Sequence, residues 1–190
     1  ENNDGPIEPF RHARAEEAFA LCLGVQRYVD GWLSTYSSWL SRQGKNDDWK
    51  FGVGTTEYMR SIGGYALTLE CGSHRDPQAP EVAYRAIRNA LHHLGLLNYE
   101  HATDLTQARA QAEMLSLYHV VDRLHENDQF SRDWRSFDAL KAGDHIGTRA
   151  DGSAVLAEID GYIVFPDTHA AVGSEWFYLA RRTDRLQRDR

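Results

Sequence analysis

The sequence predicts an α/β layer followed by a small all-β unit, and three observations carry that prediction. Apolar residues recur at helical spacing in two stretches, one near the N-terminus and one from Val82 to Leu94. A run of β-formers, Tyr65-Ala66-Leu67-Thr68-Leu69-Glu70-Cys71, lies between them. Beyond Thr103, short β-rich segments alternate with turn residues.

The lead-in, with Gly5, Pro6 and Pro9, reads as irregular. From about Ala13 to Leu40, the residues Ala18, Leu21, Cys22, Val25, Val29, Trp32, Leu33 and Tyr36 follow a helical period. That pattern predicts one long helix, or two with a kink near Gly31, packing one face on a core. The polar stretch from Ser41 to Gly54 is expected as a surface loop, and Thr55 to Ser61 as a short helix capped by Thr55 or Thr56.

Gly63-Gly64 breaks the chain before the Tyr65–Cys71 run. Its upstream residues are apolar on both faces, which predicts a central strand covered on both sides. Pro77 and Pro80 punctuate the next loop, and Gly95 stops the helix that begins near Val82.

In the second half, Leu115 to Leu124 alternates like a strand. The turn signals Gly143-Asp144, Asp151-Gly152, Asp160-Gly161, Pro166-Asp167 and Gly173 then space out short strands. The expected division is 1–104 for the α/β part and 105–190 for the β part.

Composition excludes several classes of function. The 190 residues are 42% hydrophobic and 26% charged, within the range of ordinary globular domains. Net charge is −7, and no basic stripe is interleaved with aromatics, which argues against a nucleic-acid partner. The arginines from Arg181 onward are mixed with Asp184 and Asp189 and read as a solvated terminus. No apolar run approaches the roughly 20 residues of a membrane span, so no membrane partner is expected. The isolated Cys22 and Cys71 are expected as buried, inert thiols in a reducing, cytoplasmic compartment.

Glu70 is the most informative single residue. A carboxylate at the C-terminal end of an apolar strand lies where open α/β sheets place their active sites, and Cys71-Gly72-Ser73 keeps the following turn tight. The plainer reading is a strand-end glutamate facing water. His74 lies on the same rim, either touching substrate or exposed on a loop.

Read together, Gly54-Thr55-Thr56-Glu57-Tyr58-Met59-Arg60, Gly63-Gly64-Tyr65 and Thr68-Leu69-Glu70-Cys71-Gly72 resemble the succinylglutamate desuccinylase/aspartoacylase family. Ala157-Glu158-Ile159-Asp160-Gly161 and Gly173-Ser174-Glu175-Trp176-Phe177-Tyr178 resemble that family's closing β-domain. The resemblance implies part of a zinc-carboxypeptidase-like α/β layer followed by a barrel-sandwich-like β-domain that narrows access to the site. It implies an amidohydrolase acting on the linear amide of a small N-acyl amino acid, with one zinc ion per enzyme. Glu70 inherits the role of general base and acid toward a zinc-bound water, a role that typically contributes about 10²–10⁴-fold. Arg60 stands ten residues before Glu70, at the family's spacing for an arginine that holds the substrate carboxylate. Glu175 and Tyr178 match a glutamate and a substrate-facing tyrosine three residues later, with Glu175 in a supporting role.

The family binds zinc through a His-x-x-Glu pair and a later histidine. No such pair occurs in this chain. His101/Asp104 and His119/Asp122 have the i, i+3 spacing, but the first falls in a connector and the second on a strand whose residues three apart face opposite sides. His92 and His93 are adjacent on a helix and diverge, and His12 reads as structural or exposed. No metal ligand is therefore expected within these residues, and the zinc-holding segment is expected upstream of residue 1, leaving this portion inactive alone.

Two rivals remain. The strands around Asp160-Gly161 resemble a lipoyl- or biotinyl-carrying barrel, but Lys45, Lys50 and Lys141 do not lie at that turn in the sequence. The other rival is a metal-free binding module that keeps the fold without the activity.

Overall fold

The computed structural model describes residues 12–42, 54–98 and 103–186. In chain order they form α1 (Ala13–Cys22), β1 (Arg27–Asp30), α2 (Trp32–Arg42), α3 (Thr55–Ser61), α4 (Ala79–His93), α5 (Leu105–Gln111), β2 (Glu113–Asp122) and β3 (Gln129–Phe130). There follow β4 (Ala139–Leu140), β5 (His145–Thr148), β6 (Ala154–Leu156), β7 (Gly161–Val164) and β8 (Glu175–Arg182). The class is mixed α/β, with helices concentrated early and strands late, as the sequence predicts. The predicted lead-in, most of the 41–54 loop, His101, Lys45, Lys50 and the last residues of the arginine tail lie outside the described residues.

The described residues group into two compact units. One comprises 12–28, 54–98, 103–114 and 184–186, and the other 29–42 and 115–183. The expected division at 104/105 is continuous in sequence, whereas this grouping follows packing and crosses the chain several times.

In the first unit, Leu21 packs with Ala112, Met114 and Leu186, joined by Tyr28 and Ala108. Cys22, Leu23 and Ala86 form a second cluster that takes in Phe19, Leu67, Leu69 and Ala90. The predicted long helix is interrupted: β1 separates α1 from α2, and Gly24 and Gly31 both take positive φ, at 83° and 90°. Left-handed backbone at Gly24 follows the end of α1, and at Gly31 it separates β1 from α2, whatever the apolar period says.

Gly54, not Thr55 or Thr56, caps α3; its N–H donates to Glu57 Oε2 at 2.9 Å, so the first turn is closed from the N3 carboxylate. Pro80 sits in the first turn of α4, where its missing N–H costs nothing. Gly95, at φ 70°, ends that helix as predicted, with Leu96 N donating to Leu91 O at 2.8 Å. The short α5 has no counterpart in the sequence prediction; Asp104 caps it by accepting from Thr106 N and Gln107 N.

The predicted strand from Tyr65 to Cys71 is extended but joins no sheet among the described residues. Leu67 and Leu69 pack inward while Thr68 and Glu70 are exposed, so one face is covered rather than two. The β-formers dictate extended backbone and alternation, but a ladder needs a partner that these residues do not supply.

In the second unit, the sheet order is β1-β2-β8-β7-β4, and a separate three-stranded sheet runs β3-β5-β6. Both sheets are open. β1 and β2 each begin on residues that group with the first unit. β8 pairs antiparallel with β2 and β7, burying Trp176 and Phe177 in a core with Ile146, Ile163, Leu140 and Leu179. Trp134 Nε1 donates to Ile146 O at 2.9 Å, satisfying an indole polar group that would otherwise be costly to bury.

The loop after β2 is held by Asp128, which is 3% exposed. Its carboxylate accepts from Arg149 Nη1 at 2.8 Å, Leu124 N at 2.8 Å, Ala150 N at 2.9 Å and His125 N at 3.2 Å. Burial alone pushes a carboxyl pKa up, but the Arg149 bond and the three backbone amides outweigh it and hold Asp128 at about 2. Because the folded pKa lies below the unfolded one, this stabilisation is complete above about pH 4 and is lost as pH falls toward the folded value. Asp128→Asn is expected to cost about 3 kcal/mol in urea unfolding at pH 7. The gap between variant and parent should narrow steadily between pH 4 and pH 2.

Candidate functional site

Glu70 occupies the exposed end of the extended segment. Its carboxylate is neither hydrogen-bonded nor ion-paired to another described residue. The chain turns immediately after it: Gly72 takes φ 121°, and a Cβ there would meet Asp76 Oδ2 at 3.1 Å. Asp76 N closes the following turn on Ser73 O at 2.8 Å. His74 lies exposed in that turn.

Arg60 is committed differently from a solvent-facing arginine. Its Nε donates to Glu16 Oε2 at 2.9 Å and one terminal nitrogen donates to Glu16 Oε1 at 2.6 Å, a bidentate pair between α3 and α1. The same nitrogen reaches Ala66 O at 3.4 Å, and Ala66 N donates back to Glu16 Oε2 at 3.3 Å. Glu57 lies 3.8 Å from the remaining terminal nitrogen. Both partners are largely buried, with side-chain exposures of 16% for Arg60 and 11% for Glu16. The guanidinium thus holds a carboxylate in the manner expected of it, but that carboxylate is the protein's own. Glu16 was not legible as its partner, because 44 residues separate the two and α1 reads only as an amphipathic helix.

Tyr178 and Glu175 belong to the second unit. Tyr178 is half-buried, its ring edge-on to Trp32 at 5.1 Å and packed with Trp39, Leu40 and Val120. Its hydroxyl makes no hydrogen bond to another described residue. Burial, and then the negative charges of Glu175 and Asp122 and the Tyr36 phenol, push its pKa above the ordinary phenol range. Tyr178 is therefore a neutral phenol at neutral pH. Glu175 stands opposite Asp122 at the start of the β2–β8 ladder, beside a register irregularity.

The other titratable groups have structural explanations. Burial pushes Cys22 up to about 11, and its thiol donates to Phe19 O at 3.0 Å, so it is inert. Cys71, expected buried, is only half-buried because its segment is covered on one face. His119 on β2 is pushed below its ordinary value by burial and then by Arg42. Asp122 accepts from Trp39 Nε1 at 2.6 Å. Asp104 is a helix cap. Among the described residues, no group of three or more His, Cys, Asp or Glu is arranged to hold a metal ion. No helix among them is long and apolar enough to cross a membrane. At the Asp160–Gly161 turn, where the sequence places no lysine, Lys141 reaches across from the β4–β5 turn and pairs with Asp160 Oδ2 at 2.7 Å.

No family model and no curated protein sequence matches the chain. Solved structures do. Succinylglutamate desuccinylase from Vibrio parahaemolyticus is similar over 89% of this chain and 45% of its own, with TM-score 0.57 and 18% identity. The corresponding protein from Vibrio cholerae is similar over 57% of this chain and 30% of its own, with TM-score 0.43 and 20% identity. This chain therefore spans less than half the length of each of these two structures.

The Arg60–Glu16 pair is expected to hold the first unit together whatever its further role. Arg60→Met and Glu16→Gln should each cost about 3 kcal/mol in chemical unfolding, with the double variant costing clearly less than the sum. Additive losses would show that the two side chains act independently.

The fold, over the portion this chain spans, is that of a succinylglutamate desuccinylase.

Proposed function

We propose that this chain is part of an amidohydrolase that removes the acyl group from a small N-acyl amino acid, with Glu70 as general base and acid. The observation that carries the reading is the exposed Glu70 carboxylate, which has no hydrogen-bonding or ion-pair duty among the described residues, on a chain with a desuccinylase-like fold. In the proposed reaction Glu70 accepts a proton from the attacking water as its oxygen bonds to the amide carbon. The C–N bond then breaks, and the same carboxyl returns the proton to the departing amine, leaving a carboxylate and an amino acid.

Arg60 takes the substrate carboxylate in this reading. Its bidentate hold on Glu16 supports the choice of ligand, and it also sets a condition: substrate must displace Glu16 or bind along another edge of the guanidinium. For the second unit we propose separately that Tyr178 is a substrate-facing phenol that stays protonated, with Glu175 in a supporting role. His74 lines the rim beside Glu70. A desuccinylase-like reaction calls for zinc as a Lewis acid. The described residues do not offer a ligand set for it, so in this reading the ion is held by polypeptide outside them.

Glu70→Gln in the complete gene product is expected to lower kcat for N-succinyl or N-acetyl amino acids by about 10²–10⁴-fold, with folding unchanged because the side chain is exposed. Near-normal turnover would remove Glu70 from the mechanism. The 190-residue chain by itself is expected to retain no stoichiometric zinc after dialysis, measured by elemental analysis. One tight zinc per chain would overturn the proposed division of labour.

A further inference from the structure

At one end of the second unit's larger sheet, two carboxylates face each other beside a set of aromatic rings. β2 ends on Asp122, β8 begins on Glu175, and the two are direct partners in the ladder. The register slips just before them, so that Trp176 and Phe177 together stand against Val121. All three of those side chains enter one apolar cluster, which returns Glu175 to the face that carries Val120 and Tyr178. Like charges opposed across a ladder are destabilising. Asp122 accepts from Trp39 Nε1 at 2.6 Å, but the partly buried Glu175 carboxylate makes no hydrogen bond or ion pair with another described residue. Arg149 reaches the Asp122 carbonyl at 2.7 Å, with its charge paired to Asp128.

The rings gather at the same end. Tyr178 lies opposite Val120, edge-on to Trp32 at 5.1 Å, and Trp32 stacks on Phe165 at 5.6 Å. Tyr36 packs beside Tyr178 and Trp39. β7 ends on Val164, opposite Tyr178, so the chain delivers Phe165 toward the Glu175 end of β8. Phe165 is 42% exposed and takes φ 48° immediately before Pro166, which is unfavourable backbone both for a bulky residue and for one preceding proline. Its N–H donates to Ser136 Oγ at 2.9 Å, and two residues on Asp167 N donates to Trp176 O at 2.9 Å, so the strained residue is pinned from both sides. Strain of this kind persists where the surroundings over-determine it, and such positions cluster where ligands bind.

Carboxylate oxygens beside aromatic faces are the chemistry that receives an organic ammonium group, because the ring quadrupoles and the acidic charges attract it together. The carboxylates that act on Tyr178 are those of Glu175 and Asp122, so a ligand carboxylate would be repelled from the same place. We propose that Glu175, Tyr178, Trp32 and Phe165 form a binding site for an organic ammonium group, which in the proposed reaction is the side-chain amine of a cationic N-acyl amino acid. The link to substrate rests on the reading of Tyr178 as substrate-facing; the binding of ammonium does not.

The test is calorimetric titration of the 190-residue chain with Nα-acetyl-lysine and with Nα-acetyl-norleucine, which share the α-carboxylate and a four-carbon side chain and differ in the ammonium group. Nα-acetyl-lysine should bind at least about 10-fold more tightly. Glu175→Gln should remove that preference and, because it relieves the opposition to Asp122, leave the thermal midpoint unchanged or raised. Phe165→Leu should weaken Nα-acetyl-lysine by about 3-fold or more and leave Nα-acetyl-norleucine nearly unchanged. Equal affinity for the two ligands, or binding of neither, overturns the proposal. So does a lysine preference that survives Glu175→Gln. A lowered midpoint in Glu175→Gln also overturns it, since that carboxylate then has a partner within the fold. The preference is read without turnover, so Glu70→Gln in the same chain should keep it, and a failed amidohydrolase reading is distinguishable from failed ammonium binding.

Discussion

The first unit depends on one largely buried carboxylate. Glu16 projects from α1 to the Arg60 guanidinium on α3 and accepts from Ala66 N at the start of the extended segment. It therefore ties together three pieces of chain, of which α3 contributes least by burial: it buries no residue, and its Tyr58 and Met59 are exposed. Desolvating a carboxylate is costly unless its oxygens are satisfied, and here both are engaged, by two guanidinium donors and one amide. Once Glu16 is fixed, Arg60 is fixed, and with Arg60 the point at which the chain leaves α3 for Glu70.

The second unit shows the same device in a different setting. Asp128 gathers Arg149 and three backbone amides, closing the loop between β2 and β3 onto the turn after β5. Arg149 also lies over the Trp176 ring at 5.3 Å, so the ion pair is continuous with the apolar core. Both units thus use a carboxylate–arginine pair where short elements lack the area to fix each other by burial alone. The difference lies in what each holds: Asp128 holds a loop beside the β core, whereas Glu16 holds a segment whose far end has no backbone partner among the described residues.

What the sequence made legible follows from how local each signal is. The period of α4, its stop at Gly95, the strand from Leu115 and the glycine-marked turns at Gly143, Gly152 and Gly173 depend on neighbouring residues, and each was readable. The break at β1 was not, because apolar residues at Val25 and Val29 satisfy the helical period equally well, and only the positive φ at Gly24 and Gly31 decides against it. The α5 helix is a short turn whose Asp104 cap was weighed only as half of a metal pair. Around the candidate site, the exposed position of Glu70 and the turn at Gly72 were legible from order along the chain. The Glu16 partner of Arg60 and the Lys141 partner of Asp160 were not, since pairs distant in sequence leave no periodic trace.

A general base must be held within hydrogen-bond reach of the proton it takes, and small misplacements of the reacting groups are expensive. Glu70 is the fourth of five residues, Leu67–Cys71, whose backbone groups have no partner among the described residues; the segment is anchored at one end through Ala66 and by two leucines on one face. Such a segment offers the carboxylate without fixing it.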